Sequence, residues 1–436
     1  MLKKIIYVPI ITLCISTFYI NAYYNTGFVK SFPLNVLYSN KKYSSNTKLA
    51  IASSSINEKS LTFNKWWLSK INASTAWTYT TGSSSVKIGI LDDGIDLNHP
   101  NIGNINTSLS CSFVPELSAL VPTQSHGTRM AGLITGKPSS AYPTFEGIAP
   151  NCELVSLRIL KENDALYSPY ALACAINYAE SNGIQVLVLS YCLTQDQFEY
   201  NSYITSAISS YSGMIFCAAG NDYINIDNPP VSGDFDTLYP SISTYSNIVS
   251  IASINSNNKC IHNFGESSVD FAAPGSNLWT TNLNATITPE GGTSFATPIA
   301  AGSFALLKSY YPCLSNSQLM TIIMNNLNNM DVSVFDYNLL SSNYNTLLPP
   351  NIETHTSTDG YLNIGAAFSA LANHKTYTSI SSTQHHVSCL CSTPHNYGNE
   401  SHDFELVMTK GASDDHNYIP HYVCTKCNYS TNILPF

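Results

Sequence analysis

Residues 292–298 read Gly-Thr-Ser-Phe-Ala-Thr-Pro, and a run of small and apolar residues follows from Ile299 to Leu307. The composition of this run is typical of a buried helix. A serine at the start of a helix lies beside unpaired backbone N–H groups and the positive end of the helix dipole, which stabilise negative charge developing on oxygen. Ser294 is therefore a candidate nucleophile, and the alternative is that it only caps the helix.

Two other segments place an acid and a base beside glycine. Residues 90–96 read Ile-Leu-Asp-Asp-Gly-Ile-Asp, and residues 125–132 read Ser-His-Gly-Thr-Arg-Met-Ala-Gly. An imidazole can accept a serine proton because its pKa lies near neutrality, and a carboxylate can hold that imidazole in the required tautomer. The order Asp, His, Ser along the chain differs from that of chymotrypsin-type proteases and of α/β-hydrolases.

Together with an Ala-Ala-Gly-Asn tetrapeptide that ends at Asn221, these motifs resemble the subtilase family, the subtilisin-like serine endopeptidases, over roughly residues 64–370. The resemblance implies a catalytic triad of Asp92, His126 and Ser294. It also implies that Asn221 donates to the oxyanion of the tetrahedral intermediate, beside the nucleophile's own backbone N–H.

The same resemblance implies that Ser190, Gly220 and Asp222 contact the substrate. Here the chain departs from the family pattern. Subtilases commonly read Ser-Leu-Gly-Gly or Ser-Trp-Gly-Pro at the strand edge that pairs with substrate, whereas residues 190–193 read Ser-Tyr-Cys-Leu. The missing glycine places side chains where the substrate backbone usually approaches, so the specificity is expected to differ from that of ordinary subtilisins.

Two alternatives stay open for the residue before the cleaved bond (P1). The Asp-Asp-Gly and His-Gly-Thr-Arg variants are similar to the kexin and furin branch, which cleaves after basic residues. Asp222 matches a position near the floor of the P1 pocket, and Asp234 and Asp236 lie on the segment that should wall it. Carboxylates in such a pocket favour Lys or Arg. Tyr191 and Cys192 instead narrow the cleft and favour apolar side chains.

Strand and helix patterns alternate along the chain. Residues 86–91 and 185–190 are short apolar runs typical of buried parallel strands, and residues 170–182 have apolar residues at helical spacing. This alternation predicts a three-layer, subtilisin-like α/β fold around a mostly parallel sheet. Reactive groups of such folds collect at the carboxyl ends of strands, where Asp92 and Ser190 stand.

Composition limits the partners. The 436 residues carry a net charge of −9, and only 11% are charged, with no cluster of Lys and Arg beyond the N-terminus. A nucleic-acid partner is not expected, because phosphate binding needs a concentrated basic surface. Peptide or protein substrates are the expected partners.

The N-terminus has the pattern of a secretory signal. Lys3 and Lys4 precede an interrupted apolar run over residues 5–20, and Ala22 could end a cleavage site. The alternative is an uncleaved membrane anchor, for which the run is short. No other segment has 18 consecutive apolar residues, so we expect no stable membrane span after signal removal. We expect a secreted or cell-surface protein, with a signal of bacterial style.

The chain divides into four predicted parts. These are a signal peptide (1–22), a short remnant pro-region or linker (23–63), the peptidase domain (64–372), and a Thr/Ser linker with a small Cys/His-rich C-terminal module (373–436). Eleven cysteines remain after signal removal and cannot all pair within one chain. Three of them stand in apolar stretches and are predicted to be small buried hydrophobes, namely Cys174, Cys192 and Cys217.

Four cysteines of the C-terminal module have zinc-ribbon-like spacing, namely Cys389, Cys391, Cys424 and Cys427. We predict a structural zinc there, with two disulfides or a disordered tail as the alternatives. No cofactor is needed for the serine chemistry. A calcium site is left open, because the loop 136–146 lacks a series of Asp and Asn, and Asn101 stands where subtilases often have an aspartate ligand.

These observations favour a secreted serine endopeptidase that acts through an acyl-enzyme intermediate. The alternative is a catalytically silent surface or binding protein that uses the same fold and the Cys/His-rich tail for binding. The complete set of candidate catalytic residues favours the enzyme.

Overall fold

A computed structural model describes residues 64–161, 166–198, 201–229, 237–331 and 356–371, together with six strands of the C-terminal tail. The predicted signal peptide and the segment 23–63 lie outside the described residues. In the part of the chain that is described, no helix is long and apolar enough to cross a membrane.

The strands of this part, up to residue 361, are β1 (Lys87–Asp92), β2 (Cys111–Ser112), β3 (Glu153–Arg158), β4 (Val186–Leu189), β5 (Leu193–Thr194), β6 (Met214–Ala218), β7 (Thr237–Tyr239), β8 (Ile248–Ile254), β9 (Phe271–Pro274), β10 (Leu278–Asn282), β11 (Thr286–Glu290), β12 (Asn328–Asn329) and β13 (Gly360–Tyr361). Within the described residues, nine of them form one sheet in the order β12-β13-β9-β8-β6-β4-β1-β3-β2. All neighbours in this sheet are parallel except β12 and β13.

The helices are α1 (Trp66–Lys70), α2 (Ala73–Trp77), α3 (His126–Thr135), α4 (Pro169–Ser181), α5 (Gln195–Phe198), α6 (Ser202–Ser210), α7 (Thr293–Tyr310), α8 (Asn316–Met324) and α9 (Ile364–Ala370). The predicted helix over 170–182 is α4, displaced by one residue at each end. Gly183 follows it with φ +61°, a left-handed conformation that ends the helix and suits glycine.

Helices cover both faces of the sheet. Successive residues of a strand point to opposite faces, and the apolar core divides accordingly. Ile90 of β1 packs in one apolar cluster with α3 and α7, whereas the next residue, Leu91, packs in a second cluster with α4 and α6. Val188 and Leu189 of β4 divide in the same way. This arrangement confirms the predicted three-layer α/β fold with a mostly parallel sheet.

Three adjacent strands of this sheet end at the residues that matter for the site. β1 ends at Asp92, Ser190 directly follows β4, and the loop after β6 leads to Asn221. Since β6, β4 and β1 are neighbours and parallel, their carboxyl ends lie at one edge. Side chains that are up to 129 positions apart in the sequence are thereby gathered.

The C-terminal tail contains six described strands: β14 (Lys375–Ser379), β15 (Gln384–Cys389), β16 (Asn396–Ser401), β17 (Phe404–Lys410), β18 (Tyr418–Cys424) and β19 (Ser430–Thr431). They form two antiparallel three-stranded sheets. Cys389 ends β15 in one sheet, and Cys424 ends β18 in the other. Cys391 and Cys427 lie outside the described residues. The zinc site stays a prediction.

Candidate active site

The imidazole of His126 is held by the carboxylate of Asp92. His126 Nδ1 lies 2.8 Å from Asp92 Oδ2. Asp92 is buried, and its second oxygen, Oδ1, accepts a hydrogen bond from the backbone N–H of the next residue at 2.8 Å. The His126 side chain is partly exposed. A carboxylate on Nδ1 selects the tautomer in which Nε2 carries the lone pair that accepts a proton.

His126 is also the first residue of α3, and a second carboxylate holds the start of this helix. Asp93 Oδ1 accepts from the Gly127 N–H at 2.8 Å, and Asp93 Oδ2 accepts from the His126 N–H at 3.1 Å. Burial and the neighbouring Asp92 raise the pKa of Asp93 to about 7, although the two backbone hydrogen bonds and His126 lower it. The two hydrogen bonds direct the Asp93 carboxylate toward the start of α3.

The nucleophile candidate lies in the first turn of α7. Gly292, with φ +135°, is the N-cap of α7. The helix begins at Thr293, so Ser294 is its second residue and does not occupy the N-cap position. Ser294 Oγ donates to the carbonyl oxygen of Ser190 at 3.3 Å, and Ser190 Oγ donates to the carbonyl oxygen of Ser294 at 2.9 Å. The ring of Phe295, the next residue, lies 6.1 Å from the His126 ring, centroid to centroid. The start of α7 thus lies beside the histidine.

The amide of Asn221 is oriented by the same turn of α7. Asn221 Oδ1 accepts from the Thr293 N–H at 2.9 Å, and Thr293 Oγ1 lies 3.0 Å from the same oxygen. Because Thr293 holds the amide oxygen, the NH₂ group of Asn221 points away from Thr293. Glycine suits position 292, because φ +135° is a conformation that other residues rarely adopt and a Cβ there would lie only 3.2 Å from Asn221 Oδ1.

A cavity of about 230 Å³ opens at this edge of the sheet. It is lined by Ser190, Tyr191, Cys192, Ala218, Gly220, Asn221, Asp222, Thr293 and Ser294. The lining includes the predicted nucleophile, the predicted oxyanion donor and all three predicted substrate contacts. Such a concave site with a few convergent polar groups is the usual form of a substrate pocket.

The chain matches a known protein family over most of the sheet and the site. The model of the subtilase family matches residues 83–362, which is more than half of the chain. The chain belongs to the subtilase family. Its relatives include Subtilisin BL of Lederbergia lenta, which is 30% identical over 279 residues, covering 64% of this chain and 94% of the relative. The chain is accordingly of the subtilisin-like serine endopeptidase class.

Another relative agrees with this assignment, and a solved structure agrees with the fold. The Minor extracellular protease Epr of Bacillus subtilis is 28% identical over 267 residues, covering 61% of this chain and 38% of that protein. Among solved structures, the prenylagaramide maturation protease PagA superposes with a TM-score of 0.52 at 22% identity, covering 69% of this chain and 98% of that one. At this identity the structural likeness shows the fold alone.

Two residues that shape this subtilase site are not among the predicted site residues. Thr293 lies inside the serine motif, but its contact with Asn221 spans 72 positions. Asn263 is fully buried and accepts from the Asp222 N–H at 2.7 Å, while its Nδ2 donates to the Ala219 carbonyl at 3.0 Å. A Cβ at Gly220 would lie 2.3 Å from Asn263 Nδ2, which explains the glycine. Asn263 therefore holds the loop that carries Asn221.

One cysteine prediction is wrong. Cys174 and Cys217 are buried as expected, but Cys192 is only partly buried and lines the cavity. Cys192 Sγ donates to the Ala218 carbonyl at 3.4 Å. Desolvation and the nearby Asp222 raise the pKa of this thiol to about 12, so it is neutral at physiological pH. The apolar pattern around Cys192 could not show that the fold brings this residue to the wall of the cavity.

The position where subtilases often hold calcium has a different donor set here. Asn101 is fully buried, and its Nδ2 donates to the Lys137 carbonyl at 2.8 Å and to the Tyr142 carbonyl at 3.3 Å. Its Oδ1 accepts from Ser139 Oγ at 2.9 Å. Calcium needs oxygen ligands with free lone pairs, whereas an amide NH₂ group points at these carbonyls. These residues do not fit a calcium ion.

We expect the stability of the wild-type loop to be independent of calcium, and the variant Asn101→Asp to acquire a calcium dependence. A carboxylate would lose both donated hydrogen bonds and face two carbonyl oxygens, costing about 3 kcal/mol of unfolding free energy without a cation. Urea unfolding of both proteins, in chelator and in excess calcium, measures this. Asn104→Asp, at an exposed amide three residues away that also donates to a carbonyl oxygen, is the control. A wild-type protein stabilised by calcium as much as the variant would contradict the assignment.

Proposed function

We propose that this subtilase is a secreted serine endopeptidase in which Ser294 attacks the peptide carbonyl. The observation that carries the proposal is that Ser294 and Asn221 line one cavity while Asp92 holds the His126 ring beside the first turn of α7. A hydroxyl is too weak a nucleophile alone, so the mechanism requires a base within reach and a donor for the oxyanion.

In the first step, His126 Nε2 takes the proton of Ser294 Oγ as the oxygen attacks the carbonyl carbon. Asp92 keeps the Nδ1 proton in place and stabilises the imidazolium that forms. Its burial strengthens this effect, because the medium around the pair has a low dielectric constant.

The negative charge then develops on the former carbonyl oxygen of the substrate. The NH₂ of Asn221 and the backbone N–H of Ser294 are the donors proposed for it. Thr293 fixes the Asn221 amide before the reaction, so little reorganisation is needed when the charge appears. Collapse of this intermediate transfers the proton from His126 to the leaving amine and leaves an acyl-enzyme. Water, activated by the same histidine, releases the acid.

The alternative, a catalytically silent binding protein, is disfavoured by the same contacts. A silent relative needs no carboxylate on the imidazole and no fixed amide beside the serine, yet both are present. Secretion is supported by the signal-like pattern of residues 1–22 and by the name of the Bacillus subtilis relative, an extracellular protease.

Replacing the nucleophile separates the two functions. Ser294→Ala should lower the turnover of a peptide substrate by roughly 10⁶-fold and abolish labelling by a fluorophosphonate, while the fold persists. Ser303→Ala is the matched control, because this buried serine lies on the same helix α7, away from the cavity. Labelling of the Ser294→Ala protein equal to that of the control would refute the assignment.

Replacing the proposed oxyanion donor should lower kcat more than replacing the residue that orients it. Asn221→Ala should lower kcat by about 10²- to 10³-fold with little change in KM, since the interaction forms only as charge develops. Thr293→Val removes the hydroxyl near Asn221 Oδ1 but keeps the backbone donor, so a smaller loss of kcat is expected. Steady-state kinetics on both variants checks this order. A larger loss in Thr293→Val than in Asn221→Ala would contradict the proposed roles.

One of the carboxylates that could select the P1 residue, Asp222, lies at the cavity. Asp222 lines the cavity, and Asn263 Nδ2 lies 3.3 Å from its Oδ2. Asp93 is fully buried and its carboxylate is bound to α3, whereas Asp234 and Asp236 lie outside the described residues. We therefore propose a P1 preference for Lys or Arg that depends on Asp222, with a large apolar P1 residue as the alternative.

Changing that carboxylate to an amide tests the preference. Asp222→Asn should lower kcat/KM for P1 Lys relative to P1 Leu by about fivefold, because an ion pair with an exposed carboxylate contributes at most about 1 kcal/mol. Asp227→Asn, a carboxylate outside the cavity lining, is the control. Peptides varied only at P1 supply the measurement. A wild-type enzyme that prefers Leu over Lys would favour the apolar alternative and leave the catalytic proposal intact.

A further inference from the structure

Two consecutive carboxylates hold one histidine at different points. Asp92 Oδ2 binds the His126 ring at 2.8 Å, while Asp93 Oδ2 accepts from the main-chain N–H of the same residue at 3.1 Å. We propose that Asp93 is a positioning residue of the catalytic machinery, whose ionised carboxylate anchors the first turn of α3 and thereby sets the position of the His126 ring. The inference rests on the proposed function.

Asp93 supplies the hydrogen-bond acceptors that a capping side chain usually supplies at the start of a helix. The first N–H groups of a helix have no acceptor within the helix, and a side chain at the N-cap commonly supplies one. Ser125 stands at the N-cap of α3, but its side chain makes no capping hydrogen bond. Asp93 instead supplies both oxygens from a separate segment of the chain. A charged acceptor at this end also interacts favourably with the helix dipole.

The anchored turn leaves little freedom for movement. Asp93 is fully buried, so water does not substitute for its oxygens. A Cβ at Gly127 would lie 2.3 Å from the Gly94 carbonyl oxygen and 2.9 Å from Asp93 Oδ1. The turn that carries both aspartates therefore packs directly against the start of the helix. Loosening of the anchor would move the His126 backbone, and with it the ring relative to Ser294.

The carboxylate of Asp93 adds a dependence on pH to this anchor. Burial and Asp92 raise the pKa of Asp93, and His126 and its hydrogen bonds lower it, to a value of about 7. Among the described residues, Asp92 and His126 are the charged groups that act on it. Acidification below this value protonates Asp93 and removes acceptor capacity. The anchor weakens where a catalytic histidine also gains its proton.

Activity and stability should then respond to pH in opposite directions. The pKa of Asp93 is raised in the folded protein above the ordinary 3.8, so its contribution to stability is present below pH 3.8 and is lost as the pH rises through about 7. Catalysis requires the ionised form, which folding disfavours. A residue whose role was only to stabilise the fold would not couple its proton to turnover.

The test compares Asp93→Asn and Asp93→Ser with the wild type and with Asp270→Asn. Asp270 is the matched control, since it is a carboxylate near β9 whose pKa is raised by burial to about 6 and which accepts from the Ser250 N–H at 2.7 Å. The measurements are kcat and KM for one peptide from pH 5 to 10, together with urea unfolding.

In the wild type and in Asp270→Asn, the acid limb of log kcat against pH should approach a slope of two. In both Asp93 variants it should approach one. At pH 9, Asp93→Asn should lose about 10- to 100-fold in kcat with little change in KM, as expected for a displaced catalytic group. Asp93→Ser, whose hydroxyl oxygen can accept without placing an NH₂ group against the two backbone donors, should recover part of this loss.

A slope of two in the Asp93 variants would overturn the inference, as would a kcat loss in Asp270→Asn that matches theirs. Should Asp93→Asn fail to fold, the slope of Asp93→Ser decides. A wild-type protein that a fluorophosphonate does not label would overturn both the proposed function and this inference. A labelled, active wild type whose slope the Asp93 variants leave unchanged would overturn this inference alone.

Discussion

The contact between the turn after β1 and the first turn of α3 constrains the rest of the site. Gly94 has φ +108°, and its carbonyl oxygen would lie 2.3 Å from a Cβ at residue 127. Only two glycines in these positions allow the approach. The approach brings both carboxylates of the turn to His126, one at the ring and one at the main chain. The same short segment therefore supplies the orientation of the base and the anchor of its helix.

The opposite side of the site is built on the start of α7. Thr293 binds the Asn221 amide, and Ser294 and Ser190 exchange hydroxyl-to-carbonyl hydrogen bonds. The nucleophile and the proposed oxyanion donor are thus fixed to each other through one helical turn. Residues on helices and strand ends hold such geometry more rigidly than residues on long loops.

Neutral polar side chains do much of the structural work that ion pairs do in other proteins. Asn263 holds the loop before Asp222, Asn101 closes the loop over residues 137–142, and Thr280 and Thr281 donate to carbonyls of the first turn of α3. This usage agrees with the low proportion of charged residues, 11%. Buried amides and hydroxyls avoid most of the desolvation cost of buried charges, provided that their hydrogen bonds are formed. Among the described residues, Asp92, Asp93 and Arg158 are buried charged side chains, and the two carboxylates both act on His126.

The sequence by itself determined the family, the layered α/β architecture and the identity of the candidate catalytic residues. Each of these is recorded locally, in motifs of a few residues and in the periodicity of strands and helices. Only the tertiary structure decided what Asp93 binds, that Thr293 orients Asn221, that Asn101 closes its loop with an amide, and that Cys192 lines the cavity. These contacts join segments that are between 26 and 72 positions apart. Their partners depend on how loops pack after the sheet has formed, and no local pattern encodes that.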